Sequence, residues 1–152
     1  MPWNTTYAGR YSPRIGHSGL VRVSVDLGGR HLALYAIHPL GQVKRLDRWL
    51  AYTKPLTREL ARDKGPRVVA GGFNTTQFNE WLSQLDDLGY HSVHEMLGHG
   101  LAFTWPNGMY HVPPIRIDHV LVAGPVAPLA VREGKGAGSD HRPVIVDLSV
   151  RS

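Results

Sequence analysis

From Val21 onward, Val21, Val23, Val25 and Leu27 alternate with Arg22, Ser24 and Asp26. That period of two predicts a strand over 20–27 with one buried face. Gly28-Gly29 follows directly and supplies a two-residue hairpin turn, where positive φ is needed. Residues 30–37 are the returning strand, ended by His38-Pro39. The pattern then lengthens. Leu46, Trp49, Leu50 and Tyr52 share a helical face within 42–63, and Pro55 is expected to break this helix and start a second one through Leu56, Leu60 and Ala61. A short apolar strand over 67–70 runs into Gly71-Gly72.

Trp81, Leu82, Leu85 and Leu88 recur at helical spacing, predicting a helix over 79–88 with Gly89 as its stop. A further short helix is expected over 91–97. Short strands are expected over 103–105, 115–122, 129–132 and 143–150, the second pairing with the last. Residues 1–17 read as an irregular lead-in and 18–152 as one domain. Hairpins mixed with helical crossovers predict an α/β fold, a β-sandwich flanked by helices.

Composition narrows the chemistry more than the fold. With 152 residues the chain suits one domain, and without cysteine it can have no disulfide, thiolate nucleophile or cysteine-ligated metal. Lysine and arginine number 17 against 12 acids. The excess gathers at Lys44, Arg45, Arg48, Lys54, Arg58, Arg62, Lys64 and Arg67, which read first as a solvated helical face and second as an attractor of polyphosphate. No secretory leader or membrane-length apolar run is visible, so the chain as given is expected to be soluble and cytoplasmic.

Four places carry candidate chemistry: His38 at a strand end; Gly71-Gly72-Phe73-Asn74 after a strand; Arg116-Ile117-Asp118-His119, with an acid expected in mid-strand; and Ser139-Asp140-His141-Arg142-Pro143 before the last strand. His94 and His99 flank Glu95 in the manner of a zinc-protease helix. They stand five apart instead of four, so they diverge around a helix. His91 and His94 are three apart and lack a recognisable third ligand. Asn4-Thr5-Thr6 and Asn74-Thr75-Thr76 match glycosylation sequons, read here as coincidental.

Taken together and in this order, these motifs resemble the later signatures of the endonuclease/exonuclease/phosphatase superfamily, across about residues 18–150 and most closely a bacterial branch found behind membrane helices in actinobacteria. The resemblance implies the C-terminal portion of a larger DNase-like sandwich. It implies a divalent ion, Mg²⁺ or Mn²⁺, contacted by Asp140; His141 beside the scissile phosphate; Asp118 orienting His141; Asn74 binding phosphate and nucleophile; and His38 as a second histidine. The family's turn reads Gly-Asp-Phe-Asn, and Gly72 stands here in place of that aspartate. The family's early motifs, with their metal-binding glutamate, have no counterpart upstream of residue 18. The expectation is a weakened phosphodiester hydrolase, with a loosely held metal and DNA or RNA among its possible substrates. The alternative is an inactive half-domain that binds phosphate-rich ligands or oligomerises. A half sandwich leaves strand edges open, which predicts a symmetric dimer.

Overall fold

A computed structural model describes residues 4–6, 19–41, 45–108 and 111–151. Its centre is a six-stranded sheet in the order β1-β2-β3-β4-β6-β5. These strands are β1 (Asn4–Thr6), β2 (Gly19–Asp26), β3 (His31–His38), β4 (Arg67–Gly72), β5 (His91–Ser92) and β6 (Asp118–Ala123). A two-stranded ribbon of β7 (Val126–Glu133) and β8 (Val144–Val150) lies on one face. The helices are α1 (Leu46–Arg62), α2 (Glu80–Asp87) and the single turn α3 (Val93–Met96). This is the mixed α/β architecture expected from the patterning.

The alternation of β3 divides the core. Ala33, Tyr35 and Ile37 pack with Trp49, Tyr52, Leu56 and Leu60 of α1 and with Trp81 and Leu85 of α2. Leu32 and Leu34 turn the other way, joining Val68, Val120 and Val122 against Val131, Val144 and Val146 of the ribbon. The central sheet is thus buried on both faces, and its strand ends converge at one rim. β3 and β4 run parallel, joined by the α1 crossover, and β6 returns antiparallel with Gly72 opposite Asp118.

The β2–β3 hairpin forms as expected. Gly28 and Gly29 both have positive φ, the Leu27 amide donates to the Arg30 carbonyl, and Asp26 accepts from the Gly29 amide. Asn79 caps α2, its side chain accepting from the Trp81 amide.

Several expectations are corrected. Pro55 does not break the chain into two helices; α1 runs through it. The buried positions Trp49, Tyr52, Thr53, Leu56 and Leu60 stay in register across the proline, and that packing outweighs a helix penalty of about 3 kcal/mol. Part of the lead-in, Asn4–Thr6, is a strand on the edge of the sheet, paired with β2. Residues 91–92 are strand, and helix begins only at Val93. The stretch 103–105 forms no strand. Trp105 makes one isolated bridge to Ile115, exchanging both amide bonds, so the next hydrogen-bonded pair would be Asn107 with Pro113, which has no amide to donate. Asp118 opens β6 and does not lie mid-strand. β6 pairs with β4 and β5, while β8 pairs with β7 in the other sheet, so the expected pairing of 115–122 with 143–150 is replaced by face-to-face packing.

Candidate active site

β4 delivers the first elements of the site. Gly71, at φ 143°, sits where a Cβ would lie 2.0 Å from the Ile37 carbonyl oxygen, so only glycine lets β3 and β4 approach here. Gly72 has no such constraint. A Cβ on it would stand 3.2 Å from Asp118 Oδ1, 3.2 Å from His38 Cδ2 and 3.7 Å from His38 Nε2. A side chain at position 72 would therefore face both His38 and Asp118. Buried Tyr52 of α1 hydrogen-bonds the His38 backbone, and burial pushes its phenol up to about 12.

Asn74 follows in the left-handed region, at φ 53°. Its Nδ2 donates to the Pro39 carbonyl at 2.7 Å, tying the end of β3 to this turn. The decisive contact lies across the rim, where His141 Nδ1 and Asp118 Oδ2 are 2.8 Å apart. A carboxylate can only accept, so Nδ1 carries the proton and Nε2 is left for chemistry. Asp118, His141 and Gly72 line one cavity of about 420 Å³ that opens between sheet and ribbon.

Asp140 is not brought into that group. Its carboxylate is exposed and accepts from Trp105 Nε1 at 3.2 Å. Among the described residues no set of three His, Asp or Glu side chains is arranged to hold a metal ion. With glycine at 72 and Asp140 turned to Trp105, the donors present do not fit a firmly held divalent cation.

The profile of the endonuclease/exonuclease/phosphatase family matches residues 2–141, nearly the whole chain. The chain belongs to that family. No curated protein sequence matches it. Among solved structures it is similar to D. rerio TDP2 complexed with a single-strand DNA product, with TM-score 0.71 and 18% identity over 87% of this chain. It is also similar to the 3′ phosphatase NExo from Neisseria bound to a product DNA hairpin (0.68, 19%, 98%) and to the mannosyl-6-phosphatase Bt3783 of Bacteroides thetaiotaomicron (0.58, 19%, 87%). At these identities the likeness shows the fold alone. This family member spans 62% of the TDP2 chain, 72% of NExo and 56% of Bt3783.

Sequence reading missed the residues that hold this rim together. Thr104, fully buried, accepts the amides of Ile117 and Asp118 on its Oγ1, each at 3.2 Å, while its carbonyl accepts the Arg142 amide at 2.8 Å. One threonine thus binds the Asp118 segment to the His141 loop. Asn107 fastens the same loop, its amide donating to the Asp140 carbonyl and its Nδ2 to that of Ser139. The Ile117 carbonyl accepts from both Phe73 and Asn74, and His119 Nε2 donates to the Thr75 carbonyl at 2.9 Å. Burial holds His119 down at about 4, so it is a neutral structural donor.

Beneath lies fully buried Arg116, which pairs with Glu95 of α3 and donates to the His99 carbonyl. Burial opposes ionisation of Glu95, but the Ser92 hydroxyl and Arg116 together keep its carboxyl below the ordinary value. His94 pairs with Glu133 at 2.8 Å and exposed His91 with Asp86 at 2.7 Å, so neither is left to share a metal with the other. The basic run is solvent-facing at Arg45, Arg48, Lys54, Arg58, Arg62 and Lys64, whereas Arg67 is buried over the Tyr90 ring; Lys44 lies outside the described residues. Among the described residues no helix is long and apolar enough to cross a membrane.

Proposed function

We propose that this chain is a slow phosphoester hydrolase of the nuclease and phosphatase type, acting on nucleic-acid phosphate with His141 at the reacting group. The 2.8 Å contact between His141 Nδ1 and Asp118 Oδ2 is the observation that supports it most. Asp118 fixes the tautomer and ring orientation and stabilises the imidazolium when Nε2 gains a proton. Nε2 then serves the phosphate in one of two states. Neutral, it accepts a proton from an attacking water; charged, it offers one to the departing ester oxygen. Such positioned proton transfer contributes roughly 10²–10⁴ in rate. His38, beside the vacant carboxylate position, and Asn74, fastened to Pro39, border the same rim and are assigned to orienting phosphate and water.

Mg²⁺ or Mn²⁺ is the cofactor that the family resemblance implies, with Asp140 its ligand. The donor set does not fit a firmly held ion, and Gly72 is assigned as the cause of weak activity. The same glycine supports a second reading, a family member that keeps the pocket and binds phosphate without turnover. Pairing of two copies is also proposed, since each strand of the β7–β8 ribbon has an unpaired edge among the described residues.

Nicking of supercoiled plasmid, with and without Mg²⁺, Mn²⁺ or EDTA, tests the hydrolase. Slow nicking by the native chain, lost in His141→Ala and Asp118→Asn and raised in Gly72→Asp, is expected. No nicking by either the native chain or Gly72→Asp would leave the binding-only reading.

A further inference from the structure

The cavity at His141 does not end there. Lys135, Gly136, Ala137 and Arg142 form a wall shared with a second cavity of about 640 Å³, whose far side is Phe103, Pro106, Val112 and Pro114. Its size suits a nucleotide-sized ligand. Its chemistry is divided. One side is apolar and includes Phe103, 37% exposed despite its size. The other is cationic. The Arg142 guanidinium lies 5.1 Å from the centre of the Phe103 ring, held by an Nε hydrogen bond to the Gly134 carbonyl. Lys135 is exposed at the mouth, and among the described residues neither cation is engaged in an ion pair.

The loop carrying these groups is fixed. A Cβ on Gly136 would lie 2.0 Å from Asn107 Nδ2, and Asn107 holds the Ser139 carbonyl. The two cavities therefore keep a constant offset, with the Arg142 backbone directly following His141.

We propose that this second cavity is a subsite for an unpaired nucleotide adjoining the phosphate at His141. The base lies against Phe103 and the proline and valine wall, and the neighbouring backbone phosphate is taken by Lys135 and Arg142. An aromatic face with a guanidinium beside it accepts any base by stacking, which a paired duplex base cannot offer because its faces are already covered. The substrate class that follows is a single-stranded segment or frayed end of nucleic acid. This rests on the reading of His141 given above.

The test is fluorescence anisotropy with 5′-labelled hexathymidylate, against a labelled blunt duplex, for the native chain and four variants. Phe103→Ala weakens hexathymidylate binding about 5- to 100-fold, the range for loss of one stacked base, and leaves its salt dependence unchanged. Lys135→Gln lowers the slope of log K against log salt by about 0.7, one phosphate contact on a single strand. Arg58→Gln, on the exposed face of α1, changes neither. A melting curve for Phe103→Ala checks that it is folded, and Phe103→Tyr, which keeps the ring, binds like the native chain.

Binding by Phe103→Ala within twofold of native, or a duplex bound as tightly as hexathymidylate, overturns the subsite. His141-dependent nicking together with Phe103-independent binding overturns it alone. Phe103-dependent binding without His141-dependent nicking supports the subsite and rejects the hydrolase reading.

Discussion

Replacing Thr104 by valine removes one oxygen and little volume, yet that oxygen is the acceptor for two amides. Ile117 and Asp118 both donate to Thr104 Oγ1 at 3.2 Å, and Thr104 is completely buried. Each buried donor left without an acceptor costs about 1–3 kcal/mol. Some relaxation of the 116–118 segment reduces the sum, so Thr104→Val is expected to lose about 2–4 kcal/mol. For a domain of this size that is a fall in Tm of roughly 4–16 °C. Thr104→Ser keeps the oxygen and loses only a methyl, and should stay within about 1.5 kcal/mol of native. Urea and thermal unfolding followed by circular dichroism read both variants. A Thr104→Val protein less than about 0.5 kcal/mol from native, or a serine variant as damaged as the valine one, would refute the staple.

Acid should weaken the fold before the carboxylates titrate. His119 is held down to about 4 from 6.5, so between these values the unfolded chain binds a proton that the folded chain refuses. Stability is full above about pH 6.5 and falls by about 3 kcal/mol as pH drops to 4, with buried His94, also lowered, acting in the same direction. Urea midpoints across this range should show the slope, and a His119→Gln protein with the same slope would contradict it. Gly72→Asp places a second carboxylate against Asp118 and should lower Tm in EDTA, with Mg²⁺ raising it more than in the native chain, where calorimetry should find no micromolar binding. Equal Mg²⁺ responses would remove the case for Gly72 as the lost ligand position. Sedimentation at micromolar concentration should give a species of twice the 16.8 kDa chain, and a clean monomer would end the dimer proposal.

Local patterns were readable where neighbouring residues settle the outcome. The β2–β3 hairpin depends on alternation and Gly28-Gly29, and α2 on the spacing of Trp81, Leu82 and Leu85 behind the Asn79 cap. The approach of Asp118 to His141 was anticipated from motifs, and the structure brings those two residues together; their catalytic roles are the proposal. Asp140 was expected beside them and instead faces Trp105. The supporting residues were not visible, for a physical reason. The side chains of Thr104, Asn107 and Arg116 act through hydrogen bonds to partners 13 to 32 residues away, and a single polar residue has no periodicity to betray it. Pro55 misled because its local preference was outweighed by a buried face that only the assembled sheet supplies. Strand β1, only three residues long, is too short for alternation to register.

The single rung between Trp105 and Ile115, not continued because Pro113 has no amide and Asn107 donates to Asp140 instead, separates two levels of cooperativity. Amide exchange in Thr104 and Asp118 should follow global unfolding, whereas Val112, outside the ladder beyond the rung, should exchange by local opening. Asn107 is bound to the His141 loop and must stay, whereas Val112 and Pro114, which line the outer cavity, can change at little cost to the scaffold. Descendants of this chain could thus change what they hold beside the phosphate while inheriting the His141 pocket intact.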